Sequence, residues 1–134
     1  MTIELIHEEL TKSAIGAFYE VYNDKGFGFL ENVYANSMQV ELRERGHVVQ
    51  RELPITIPYK GYPVGDYRVD IIVDHCLILE VKSTETLHPN ARRQLRNYLC
   101  ATAIPVGLLL HFGPEAKFYR EVFTKKENSN PEPL

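Results

Sequence analysis

The chain has 134 residues, of which 44% are hydrophobic and 25% charged, with a formal net charge of -3. That length fits one domain able to bury roughly two thirds of its unfolded surface without disulfide or metal staples. No apolar run approaches the roughly 20 residues needed to cross a bilayer, and MTIELIHEELTKS lacks the basic start and apolar stretch of a secretory leader. No membrane partner is therefore expected and a cytoplasmic protein is, while the acidic balance requires any polyanionic partner to meet a local basic patch.

From Thr2, a plausible cap, Ile6, Leu10, Ala14, Phe18, Val21 and Tyr22 recur at helical spacing up to Asn23-Asp24-Lys25-Gly26. Gly26 and Gly28 allow a tight entry into a second helix from about Phe29 to Arg45, with Leu30, Val33, Tyr34, Met38 and Leu42 along one side. After Gly46 the period changes. HVVQRELPITIPYKG has the β-branched residues and prolines of an edge strand, with Lys60-Gly61 as a turn.

Two apolar runs, Tyr67 to Val73 and Leu77 to Val81, read as a central hairpin buried on both faces. His88-Pro89-Asn90 opens a third helix, carrying Ala91, Leu95, Tyr98, Leu99 and Thr102 toward a core before Pro105. Strands follow at Val106 to Phe112 and Lys117 to Phe123, giving the order ααβββαββ and a mixed sheet flanked by helices. Residues 1–124 are expected to form one domain, with a disordered tail over 125–134 that has too few apolar residues to pack. Cys76 and Cys100 lie in apolar segments, as reduced core thiols do. The five histidines have no zinc-type spacing and read as loop or surface residues.

Within the hairpin, Asp70, Glu80 and Lys82 interrupt the apolar pattern, although charges in a buried sheet are costly unless paired or bound to metal. Alternation places Glu80 and Lys82 on one face. A two-residue loop would put Asp70 on the opposite face, whereas a three-residue loop, Asp74-His75-Cys76, sets it across from Glu80 with Cβ atoms about 5 Å apart. Two carboxylates that close repel, and a hard cation such as Mg²⁺ or Mn²⁺ relieves the repulsion. Lys82 would then orient or deprotonate water and stabilise charge on a phosphoryl oxygen. A cross-strand ion pair explains the same three charges, and the pattern by itself leaves both accounts open.

Asp70 followed by Glu80-Val81-Lys82 resembles the acid, acid-x-lysine hallmark of the PD-(D/E)xK nuclease-like superfamily. Gly28-Phe29-Leu30-Glu31-Asn32-Val33-Tyr34 is similar to the GxxExxY signature of one small family assigned to that superfamily. Val69 stands where a proline often precedes the first acid. The resemblance, over about residues 2 to 124, implies a restriction-endonuclease-like fold and a Mg²⁺-dependent nuclease acting on DNA or RNA. Its metal ligands would be Asp70, Glu80, the carbonyl of Val81 and the helix acid Glu31, with Lys82 as the catalytic amine. Gln94 and Tyr98 match a Q-xxx-Y element that supports the site, and their spacing places both on one helix face.

Tyr34 reads as a core residue whose hydroxyl bonds Glu31 or Lys82. Arg92 and Arg96 share a helix face and, with Arg93, Lys60 or Arg68, are candidates for the phosphate-binding patch, although such charges are usually a solvated surface. The other function class is a nuclease-fold module without turnover, used for binding or oligomerisation. Cleavage of both strands of a duplex would favour a homodimer. No phosphate-cradling glycine loop, GxSxG elbow or CxxC pair is present.

Overall fold

The computed structural model describes residues 7–124; the expected helix cap at Thr2 and the expected disordered tail lie outside the described residues. The elements are α1 (Glu8–Lys25), α2 (Glu31–Glu44), β1 (Val49–Tyr59), β2 (Tyr62–Val73), β3 (Leu77–Lys82), α3 (Ala91–Thr102), β4 (Val106–Phe112) and β5 (Ala116–Val122). This is the order ααβββαββ read from the periodicities. The strands form one mixed sheet in the order β1-β2-β3-β4-β5. Only β3 and β4 run parallel, because α3 carries the chain back between them. β1 lies at the edge, where Pro54 and Pro58 cost no interior ladder bonds.

Helices α1 and α2 cover one face, where Phe18, Tyr34, Met38 and Leu42 pack against Ile71, Leu79, Leu108 and Phe112. Helix α3 covers the other, with Leu95, Tyr98 and Leu99 on Ile72, Ile78 and Leu109. At Gly107 a Cβ would come within 2.8 Å of Leu95 Cδ1, so glycine is what lets α3 approach β4 so closely. Buried on both sides, β3 and β4 carry the continuous apolar runs of a sheet interior.

Periodicity did not show one feature. Side-chain alternation changes face midway along β1 and β2: Val49, Ile71 and Val73 belong to the α1/α2 core, whereas Leu53, Ile55 and Val69 pack on the α3 side. The change falls at Glu52, whose φ of 52° is unusual for a non-glycine residue, and at Asp70, the two residues left between the register pairs Arg51–Ile71 and Leu53–Val69.

Other differences are local. β2 begins at Tyr62 rather than Tyr67, and α2 begins at Glu31 because Leu30 is extended and acts as its cap residue. Cys100 is exposed and Cys76 half-buried with Sγ 2.8 Å from the Asp74 carbonyl, so neither is a core thiol. His111 is buried on β4, where its Nε2 lies 3.1 Å from Thr84 Oγ1 and 2.9 Å from the Thr84 carbonyl, rather than lying in a loop or on the surface.

Candidate active site

The β2–β3 register pairs Ile71 with Leu79, Ile72 with Ile78 and Val73 with Leu77, leaving Asp74-His75-Cys76 as a three-residue connection. Asp74 and His75 both adopt positive φ, at 51° and 60°, to close it. The odd loop is the one that brings Asp70 across from Glu80. The regular ladder stops there, and the Val81 amide donates to Asp70 Oδ2 at 2.9 Å. The carboxylate thus takes a backbone donor of β3 and is fixed beside Glu80.

Glu80 is only 4% exposed, and its Oε1 has no hydrogen-bond partner among the described residues. Its other oxygen lies 3.8 Å from Lys82 Nζ. Burial, and then the charge of Asp70, push the Glu80 carboxyl up to about 8, with Lys82 pulling the other way. Burial also raises Asp70, partly offset by the Val81 amide and Lys82. Tyr98 of α3 is within reach of the pair's charge: burial first, then Glu80 and Asp70, push its phenol up to about 12. An orphaned buried carboxylate oxygen is a costly arrangement in a fold whose other polar groups are largely satisfied.

These residues fit a hard divalent cation of the Mg²⁺ type. Such an ion is held by one or two carboxylates together with water and substrate, not by a full protein cage. Among the described residues no three His, Cys, Asp or Glu side chains are gathered closely enough to hold a metal by themselves. Asp70 Oδ1 and Glu80 Oε1 are the donors left for an ion, since Oδ2 is engaged by the amide and Oε2 faces Lys82. Glu31 stands at the exposed start of α2, near enough for its charge to raise Glu80 but outside a tight ligand set.

A cleft of about 800 Å³ opens over this end of β3, lined by Glu31, Lys82 and Gln94 together with Tyr67, Arg93 and Asn97. Asp70 and Glu80 are not part of its lining, and Lys82 is where the cleft and the carboxylate pair meet. Glu31, Lys82 and Gln94 thus share the cleft, while Lys82, Glu31 and Tyr98 are the residues whose charge or ring lies within reach of the carboxylate pair. Tyr34 is not among them: its hydroxyl donates to the Gly26 carbonyl at 2.5 Å and accepts from the Phe29 amide at 3.2 Å, rather than meeting Glu31 or Lys82. Its ring stacks on Phe112 with centroids 4.2 Å apart.

Arg92 and Arg96 also lie elsewhere. Both reach the buried Glu121 on β5, and Arg92 sits 4.9 Å over the Tyr119 ring. The cleft-lining arginine of α3 is Arg93, which shares its side of the helix with Gln94 and Asn97. Sequence reading gave Asn97 and Tyr67 no role. The spacing of Arg93 and Asn97 around Gln94 was the available signal for that face.

A family model of the PD-(D/E)XK nuclease superfamily matches residues 8–122, nearly the whole described fold and all of the site just outlined. The chain belongs to the PD-(D/E)XK nuclease superfamily. Among curated proteins, none matches closely enough to count as a relative. A solved structure titled "Crystal structure of SSO0001" is similar in fold, with a TM-score of 0.53 and 18% identity over 72% of this chain. The match covers 51% of that chain, so the present chain corresponds to about half of it.

Proposed function

We propose that the protein is a Mg²⁺-dependent nuclease that hydrolyses phosphodiester bonds in DNA or RNA. The observation that carries the reading is the buried Glu80 carboxylate, unpartnered at Oε1 and flanked by Asp70 and Lys82. In this reading Asp70, Glu80 and the Val81 carbonyl hold Mg²⁺ or Mn²⁺, with Glu31 reaching in from the cleft mouth. The bound cation supplies positive charge that polarises the phosphoryl group and acidifies water. Lys82, on the cleft side of Glu80, orients the attacking water and stabilises negative charge on the phosphoryl oxygens. Gln94 positions substrate along the α3 wall, and Tyr98 keeps the carboxylate pair dry. Tyr34 supports the site by fixing the loop before Glu31.

The GxxExxY assignment, a single domain over residues 1–124, a cytoplasmic setting and a homodimer acting on duplex substrates belong to the same proposal. No helix among the described residues is long and apolar enough to cross a membrane. The second reading, a nuclease-fold binding module without turnover, draws its support from Arg92 and Arg96, which Glu121 engages away from the cleft. Cleavage assays with Mn²⁺ on labelled DNA and RNA decide between them. The nuclease reading expects Lys82→Ala to lower cleavage by about a hundredfold or more with metal binding kept. Activity that falls only in proportion to folded protein would defeat it.

A further inference from the structure

The loop that delivers Glu31 to the cleft is held rigidly, yet it presents apolar side chains to water. Phe27, Phe29 and Leu30 are 41%, 48% and 80% exposed. Gly26 and Gly28, at φ 69° and 123°, shape the turn. The Tyr34 hydroxyl then ties the Gly26 carbonyl to the Phe29 amide, and Ser83, next to Lys82, donates to the Phe29 carbonyl at 2.6 Å. A loop fastened at both backbone ends to the site strand and to α2 has no conformational need for bare aromatic and aliphatic tips. Tyr67 lines the cleft and is 46% exposed, its ring held at 5.6 Å from Tyr98.

The cations are few by comparison. Lys82 and Arg93 line the cleft, Glu31 opposes them, and Arg92 and Arg96 are engaged by Glu121. Duplex binding depends chiefly on neutralising many phosphates, whereas single strands are held by base stacking on aromatic faces with a modest basic track. Every base has an apolar face that can meet such a surface; a paired and stacked base does not offer it.

Resting on the nuclease reading of the same site, we infer that the substrate is single-stranded nucleic acid, or an unpaired end or flap. Its bases stack on the Phe27–Leu30 loop and on Tyr67 while its backbone crosses Lys82. The loop and Tyr67 are specificity-determining residues; they do not touch the reacting atoms.

The test uses the full chain carrying Asp70→Ala, to prevent cleavage, and fluorescence anisotropy with labelled oligo(dT), oligo(U) and a hairpin duplex. Single strands should bind at least tenfold tighter than the duplex, and Phe29→Ser/Leu30→Ser and Tyr67→Ser should each weaken single-strand binding by about fivefold or more. Far-UV circular dichroism identifies folded variants, and Phe27→Ser serves as a second loop probe. Equal or tighter duplex binding, or unchanged single-strand binding in folded loop variants, would overturn the inference. So would a loop variant that changes only the oligomeric state, since a second copy of the chain would then be the occupant. Mn²⁺ calorimetry on the otherwise wild-type loop variant separates this failure from that of the nuclease reading: retained metal binding with lost discrimination concerns the loop, and absent metal binding in the wild type concerns the centre.

Discussion

Asp70 accepts the Val81 amide at 2.9 Å, so this β2 carboxylate is bonded to the backbone between Glu80 and Lys82. One hydrogen bond thus sets the geometry of three charged side chains. It compensates for the end of the β2–β3 ladder at Ile71 and Leu79, and it holds Asp70 beside Glu80, whose raised carboxyl keeps the pair from carrying two charges at neutral pH. Asp70→Ala therefore does more than remove a ligand: it leaves the Val81 amide without the acceptor it has here. The expected cost is about 1–2 kcal/mol of stability in metal-free protein at neutral pH, and chemical denaturation measures it.

Glu80 gives a pH dependence. With its carboxyl pushed up to about 8, the metal-free site is protonated at neutral pH, and a cation must displace that proton. Mn²⁺ affinity should rise by nearly tenfold per pH unit below that value and level off above it, with about one proton released. Titration calorimetry in buffers of different ionisation enthalpy reads both quantities.

The same shift has a sign for stability. A carboxyl whose folded value, about 8, lies above its ordinary value of 4.5 contributes stability that is complete below 4.5 and is lost as pH rises through 8. In chelator, Glu80→Gln removes that loss. The variant should exceed wild type at pH 8.5 by on the order of 2 kcal/mol, and the gap should close toward pH 5. Thermal denaturation at the two pH values checks this, and a variant equally destabilised at both would contradict the assigned burial cost.

Much of this architecture was legible in the residues. Helical spacing located α1, α2 and α3, and the apolar runs located β3 and β4; the residues alone left the loop length open, and the register contains the three-residue loop that the metal reading of Asp70, Glu80 and Lys82 requires. The change of face at Glu52 and Asp70 was not legible, because the alternation breaks at a non-glycine residue of positive φ that no residue pattern announces. Arg92 and Arg96 share a helix face, as their spacing requires, but their partner Glu121 lies on β5, and no local pattern announces it. His111 looked like a surface residue only because the Thr84 groups that satisfy it arrive from another segment.

Tyr34 offers a separate check on the loop before Glu31. Tyr34→Phe keeps the stack on Phe112 and deletes the hydroxyl that joins Gly26 to Phe29. A loss of about 1–2 kcal/mol is expected, together with faster hydrogen exchange at the Phe29 amide. Unchanged exchange there would mean that the loop is fixed by other contacts.

The central claim is that Asp70 and Glu80 form a divalent-cation centre, and the most direct measurement is a calorimetric titration of Mn²⁺ into wild type, Asp70→Asn and Glu80→Gln at pH 8. Stoichiometric binding in the wild type that is lost in both folded variants is the predicted result. Binding retained in both variants, or absent from the wild type at millimolar metal, would contradict the metal centre and leave Lys82 as the charge partner of Glu80 within β3 and of Asp70 across the hairpin.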